Sequence, residues 1–216
     1  MTITGYSDRI NHALAFAAKH HDRQVRKGMR LPYATQAANV AIILSRYGRD
    51  DDTVVAGILQ DAVEDCVRER YSRDMLEQRV GEKFGLDVLD TVLAVSKRLL
   101  DDDGIELSHD ERREDYLVRL SDADERARWV CAADKLHNSC NTLADLRRTI
   151  DPDTVWGRFP GGREGLTRWY RRVYDRLTEV GFTGSIMLEL SRAVQELEAW
   201  SEPVGQRSIP DALGQP

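Results

Sequence analysis

The chain has 216 residues, 41% hydrophobic and 31% charged, and a formal net charge of −6. That length can bury a substantial core as one domain. The acidic balance argues against a general nucleic-acid-binding protein, which would carry a basic surplus, and no apolar run approaches the roughly 18 residues needed to span a membrane.

The N-terminal stretch MTITGYSDRI has no apolar core of the secretory-signal kind. The three cysteines, Cys66, Cys131 and Cys140, form no CxxC pair. This usage points to a reduced cytoplasm with the thiols as packing residues.

Ser7 can cap a first helix running to about His21, with Ile10, Ala13, Leu14 and Ala17 on its buried stripe. The polar, basic stretch DRQVRKGMRLPY follows, punctuated by Gly28 and Pro32. TQAANVAIILSRYG reads as a second helix stopped by Gly48. Asp51 or Asp52 opens a third, continuing through DTVVAGILQDAVEDC. Ser72 opens a fourth with Gly85 as its stop, and a fifth covers roughly 86–97. SHDE at 108–111 is a capping box for a sixth. A long seventh, DADERARWVCAADKLHNSCNTLADLRR, has a mostly apolar centre and is expected to cross the core. DPDTVWGRFPGG reads as a structured loop. Two more helices, about 163–180 and 184–200, are separated by Gly181. The tail holds three of the six prolines and reads as loosely ordered. No alternating strand pattern, heptad or repeat is present, so the expected fold is all-α: one domain over 1–200 and a flexible tail over 201–216.

The chemistry concentrates in GILQDAVED at 57–65. On a continuous helix Asp61, Glu64 and Asp65 would share a face with Gln60, since positions three and four apart stack. A second apolar helix presents Asp134 and Asn138, again four apart, flanked by Lys135 and His137. The ordinary alternative for Asp134 is an ion pair or interhelical hydrogen bond, and for Glu64 and Asp65 a solvated helix end. Upstream, Arg23, Arg26, Lys27 and Arg30 make a basic patch in an acidic protein. It suits a multiply phosphorylated anion, or is a solvated helix end. His21 neighbours that patch, and His20 is expected at the surface.

Taken in order, HHDRQVRKGMRLPYATQAANVA, GILQDAVEDC and CAADKLHNSCNTL resemble the three motifs of the HD-domain metal-dependent phosphohydrolases. They look most like the hydrolase domain of RelA/SpoT homologues and the small single-domain (p)ppGpp hydrolases. The resemblance covers about residues 10–180. It implies an HD-type bundle of about nine to ten helices and a divalent cation, Mn²⁺ above all, held by four positions that fall here on Gln36, Gln60, Asp61 and Asp134. The family has histidine at the first two. A Gln carbonyl is a weak, hard donor beside an imidazole, and what survives is an oxygen cluster able to hold Mg²⁺ loosely through waters. The resemblance further implies that Glu64 and Asp65 position and deprotonate the attacking water. It places Arg26, Lys27 and Asn138 against a guanosine alarmone-like nucleotide, and Tyr170 and Arg171 on the far wall of its pocket. His21 matches a family histidine outside the metal set. Two readings stay open: a 3′-pyrophosphohydrolase impaired by Gln36 and Gln60, and a non-catalytic protein that keeps the nucleotide pocket as a sensor or sequestering device.

Overall fold

Five of the helices begin where a side chain takes up a free backbone N–H of their first turn. Ser7 accepts from Ile10 N–H ahead of α1 (Asp8–His20), and α2 spans Ala34–Arg46. Asp50 accepts from Thr53 N–H ahead of α3 (Asp51–Leu59), and α4 is a single turn, Ala62–Asp65. Ser72 caps α5 (Arg73–Phe84), which meets α6 (Leu86–Val95) at Gly85, whose φ of 99° suits glycine. Both halves of the Ser108–Glu111 capping box are made ahead of α7 (His109–Asp122). Asp124 caps α8 (Glu125–Arg148), and α9 (Asp153–Trp156), α10 (Gly162–Glu179) and α11 (Ile186–Ser201) complete the chain order. This is a computed structural model describing residues 5–25, 31–65 and 72–201, with the side chains of Glu64 and Asp65 outside the description. The flexible tail expected over 201–216 therefore lies, beyond Ser201, outside the described residues.

The fold is all-α. Among the described residues the only β pairings are isolated bridges, Val25 with Pro32 and Leu100 with Glu106. No helix there is long and apolar enough to cross a membrane. The axis is α8, whose 24 residues make a rod about 36 Å long against which α2, α3, α6, α10 and α11 pack. Its residues from Val130 to His137 are all buried. Helix α3 is covered on every side, buried from Thr53 to Leu59, as an apolar helix without a polar face must be. It lies close to α2 because Gly57 has no side chain: a Cβ there would stand 2.5 Å from Leu44 Cδ1 and 3.1 Å from Val40 Cγ1.

Four expectations are corrected. The helix expected to run unbroken through GILQDAVEDC breaks at Gln60 and Asp61, between α3 and α4. Its cause is tertiary. The Ser96 hydroxyl lies 3.0 Å from the Gln60 carbonyl and 2.7 Å from that of Val92, its one proton shared between them. Arg119 fixes the segment behind it by donating to the carbonyls of Leu93, Ala94 and Ser96 at 2.9, 3.1 and 2.7 Å. Second, the loop after α8 contains the one-turn α9, which buries Val155 and Trp156. Third, His20 is only 5% exposed and packs on Phe16 with ring centroids 4.2 Å apart. Burial, with Arg79 and Lys19 nearby, holds its imidazole below the ordinary pKa. Fourth, Cys131 is a buried packing residue but Cys140 is exposed; Cys66 lies outside the described residues.

Candidate functional site

The break after α3 turns Asp61 towards two other helices. Gln36, in the first turn of α2, and Asp134, midway along α8, meet it there. Gln36 Nε2 lies 2.8 Å from Asp61 Oδ2 and 3.1 Å from Asp134 Oδ1. An amide nitrogen carries two protons, and here each has a carboxylate acceptor. The orientation of the amide follows from its partners, because an amide oxygen in that place would face two carboxylates with no proton between. Asp61 is half-buried, while Gln36 and Asp134 are 6% and 5% exposed.

Further donors close on the same pair. Tyr33 donates to Asp61 Oδ2 at 3.1 Å, Asn138 Nδ2 to Asp134 Oδ1 at 2.8 Å, and Lys135 Nζ to Asp134 Oδ2 at 2.7 Å. Burial pushes the Asp134 carboxyl up, but the Lys135 ammonium outweighs it, with His137 and Lys97 adding, and the group is held below its usual range. Tyr33 is itself placed by the chain before it. Its N–H donates to the Gln24 carbonyl at 3.0 Å, and its ring stacks on His21 at 4.6 Å between centroids. His21 Nδ1 in turn lies 2.5 Å from Gln24 Oε1.

Gln60 differs from Gln36. It is 5% exposed, its carbonyl is engaged by Ser96, and its Nε2 is buried with no hydrogen-bond partner among the described residues. An unmatched buried donor costs about 1–3 kcal/mol, which the packing around Gln60 has to offset.

These residues do not fit a first-row divalent cation. A cation needs lone pairs aimed at one point. Here Gln36 aims its N–H groups at both aspartates, and Lys135 and Asn138 occupy the Asp134 oxygens that a metal would use. Among the described residues no group of three or more His, Cys, Asp and Glu stands together to hold an ion.

The structure thus brings Gln36, Asp61, Asp134 and Asn138 into one cluster. Tyr170 is buried on α10. Arg171 is turned to α11, where it pairs with Glu198 at 2.8 and 2.5 Å and lies 3.7 Å from Asp175. That accounts for its charge without a nucleotide. The expectations for the side chains of Glu64 and Asp65, and for Arg26 and Lys27, lie outside the described residues. Sequence reasoning missed Tyr33 and Lys97 and read Lys135 only as a flank. The Pro-Tyr pair within the first motif was the available signal for Tyr33, while Lys97 follows α6 with no pattern of its own.

The HD domain family matches residues 13–148, and the chain belongs to it. It is 33% identical over 142 residues to the guanosine-3′,5′-bis(diphosphate) 3′-pyrophosphohydrolase MESH1 of Xenopus tropicalis, covering 64% of this chain and 70% of that protein. Two longer relatives are a GTP pyrophosphokinase of Myxococcus xanthus, 31% identical over 61% of this chain, and an Aquifex aeolicus guanosine-3′,5′-bis(diphosphate) 3′-pyrophosphohydrolase, 33% identical over 43%. The chain spans 17% and 12% of their lengths. Among solved structures, a metazoan orthologue of SpoT described as hydrolysing ppGpp shares the fold with a TM-score of 0.68 at 24% identity, covering 90% of this chain and 98% of that one. The lmo0812 protein of Listeria monocytogenes follows at 0.62 and 25%, covering 75% and 97%.

Proposed function

We propose that this HD domain binds a guanosine nucleotide carrying a pyrophosphate group, and that hydrolysis of that group is impaired by Gln36 and Gln60. One observation carries the reading: the Gln36 amide donates to both Asp61 and Asp134, the two acids at family metal positions. In this reading 1–200 form the nucleotide-binding unit. Arg26, Lys27 and Asn138 contact the nucleotide, Tyr170 lines its pocket, and Glu64 and Asp65 stand where the family's relatives handle the attacking water. The aspartates do not repel the incoming phosphates as a bare pair would, because Lys135 and three neutral donors already offset them. Similarity to the Xenopus MESH1 hydrolase supports the nucleotide class.

The deciding experiment is phosphate release from guanosine 3′,5′-bis(diphosphate) with Mn²⁺ or Mg²⁺, run beside calorimetric binding of the same nucleotide and elemental analysis of the purified protein. Binding without turnover and without stoichiometric metal is the expected result. Turnover with near-stoichiometric metal would mean that the oxygen cluster replaces the histidines, and that the chain is a working hydrolase.

A further inference from the structure

A cavity of about 210 Å³ lies between α7 and α10. Asp110, Arg113 and Glu114 line it from α7, and Arg168, Trp169 and Arg172 from α10, in each case at the three- and four-residue spacings of one helix face. None of them belongs to the Asp61–Asp134 cluster. The three guanidinium groups are unequally matched. Arg172 is held by Glu114 at 2.6 Å, whereas neither Arg113 nor Arg168 has a hydrogen bond or ion pair among the described residues. Arg113 is half-buried, its guanidinium over the Trp169 ring at 5.1 Å from the centre. Burial pulls its pKa below the ordinary value, with Arg172 adding to the lowering and Asp110 opposing it. The Asp110 side chain is itself 92% exposed, where water screens its charge.

A guanidinium drawn out of water without a hydrogen-bonded acceptor carries a cost that an oxyanion removes. Three guanidinium groups against two carboxylates make a local positive surplus in a chain whose net charge is −6. The volume is below the roughly 300–1,000 Å³ of cavities that enclose drug-sized ligands, so it suits one phosphate or pyrophosphate group and not an enclosed purine. We infer that Arg113, Arg168 and Arg172 form a binding site for a phosphate-type oxyanion. Trp169 holds the plane of the Arg113 guanidinium, which lowers the entropy lost when its paired N–H groups grip the anion. The anion is free, or is a phosphate group carried by a nucleotide; the oxygens offered are the same. The site holds whether or not the Asp61–Asp134 cluster receives a nucleotide.

The test is calorimetric titration of inorganic pyrophosphate, in EDTA, into the full chain as wild type, Arg113→Gln, Arg168→Gln and Arg147→Gln. Arg147 is an exposed arginine of α8 paired with Glu196, so its variant makes the same change in net charge away from the cavity. Thermal unfolding of the free proteins shows which variants are folded, and the exposed Arg168 keeps the test open if Arg113→Gln is not. The wild type should bind saturably. Arg113→Gln and Arg168→Gln should each bind about tenfold more weakly or worse, and Arg147→Gln should stay within about twofold. No saturable binding by the wild type overturns the inference. So does a folded Arg113→Gln or Arg168→Gln that binds as the wild type does, or an equal loss in Arg147→Gln. Titrating guanosine 3′,5′-bis(diphosphate) into the wild type and Arg113→Gln separates the two sources: weaker binding by the variant assigns the site to a phosphate of the nucleotide, and equal binding assigns it to the free anion. A wild type that binds pyrophosphate at these arginines but no nucleotide removes the nucleotide reading and leaves this site standing.

Discussion

Asp134 and Lys135 are consecutive residues of α8, yet their side chains are bonded to each other, Nζ to Oδ2 at 2.7 Å, both deep in the core. Consecutive positions on a helix point to different faces, so the contact depends on the lysine's flexible four-carbon stem folding back. The ammonium also lies 5.2 Å from the centre of the Tyr116 ring. Burial pulls the Lys135 pKa down, but Asp134, with Tyr116 and Cys131, raises it well above the ordinary value. Replacing Lys135 by Met strands a buried carboxylate, at a cost of about 3–5 kcal/mol. Urea unfolding should show that loss, and most of it should return in Lys135→Met with Asp134→Leu, where neither charge remains. A Lys135→Met protein as stable as the wild type would mean that Gln36 and Asn138 suffice to hold Asp134.

Restoring histidine at Gln36 and Gln60 together replaces N–H groups by ring lone pairs, so the double variant should take up Mn²⁺ and begin releasing phosphate from guanosine 3′,5′-bis(diphosphate). Its melting temperature should rise with added Mn²⁺, because a ligand that binds only the folded state stabilises it. The wild type should melt at the same temperature in Mn²⁺ and in EDTA. A double variant with neither metal nor turnover would place the defect beyond these two positions.

Gly57 offers a packing test. A Cβ added there meets Leu44 Cδ1 at 2.5 Å, and Leu44 is itself fully enclosed. Gly57→Val should cost at least the 1–3 kcal/mol typical of overpacking, with Gly57→Ala costing less as Leu44 rotates. Thermal unfolding checks both, and an unchanged Gly57→Val would mean that α2 and α3 can separate freely.

Asp50 sets a pH dependence. The Thr53 hydroxyl holds its carboxyl below the ordinary value against a smaller opposing effect of burial, and the Thr53 N–H and Arg126 add to the lowering. A folded pKa lower than the unfolded one gives stability that is fully present above the unfolded value, near 4, and lost as pH falls through the folded one. Asp50→Ala should cost about 0.5–2 kcal/mol at neutral pH, as lost helix caps do. The gap between variant and wild type should narrow as pH falls below 4. A gap that stays constant from pH 6 to pH 2.5 would remove the titrating carboxylate from the account.

Elements set by local chemistry were legible from the chain alone. Ser7, Ser72 and the Ser108–Glu111 box each announce a helix through residues three apart. Gly181 has the positive φ, 72°, that its place between two helices required. The three motifs led to the family, and so to which acids would meet. What was not legible depends on distant approach. The break at Gln60 is made by Ser96, 36 positions on. The Gln36 bridge joins residues 25 and 98 positions apart. Periodicity describes one helix at a time, so it could count the acids on GILQDAVED without showing that α2 would supply their counter-donor.

Helix α3, enclosed from Thr53 to Leu59, ends one residue before the Gln60–Asp61 pair. The amide protons of those enclosed residues reach water only through a large opening of the bundle. They should therefore be the last to exchange with deuterium, on the timescale of global unfolding. Asp61 thus follows this enclosed helix, one residue on, while the chain on its other side enters the short turn of α4. A ligand that meets Asp61 would therefore meet a stationary floor.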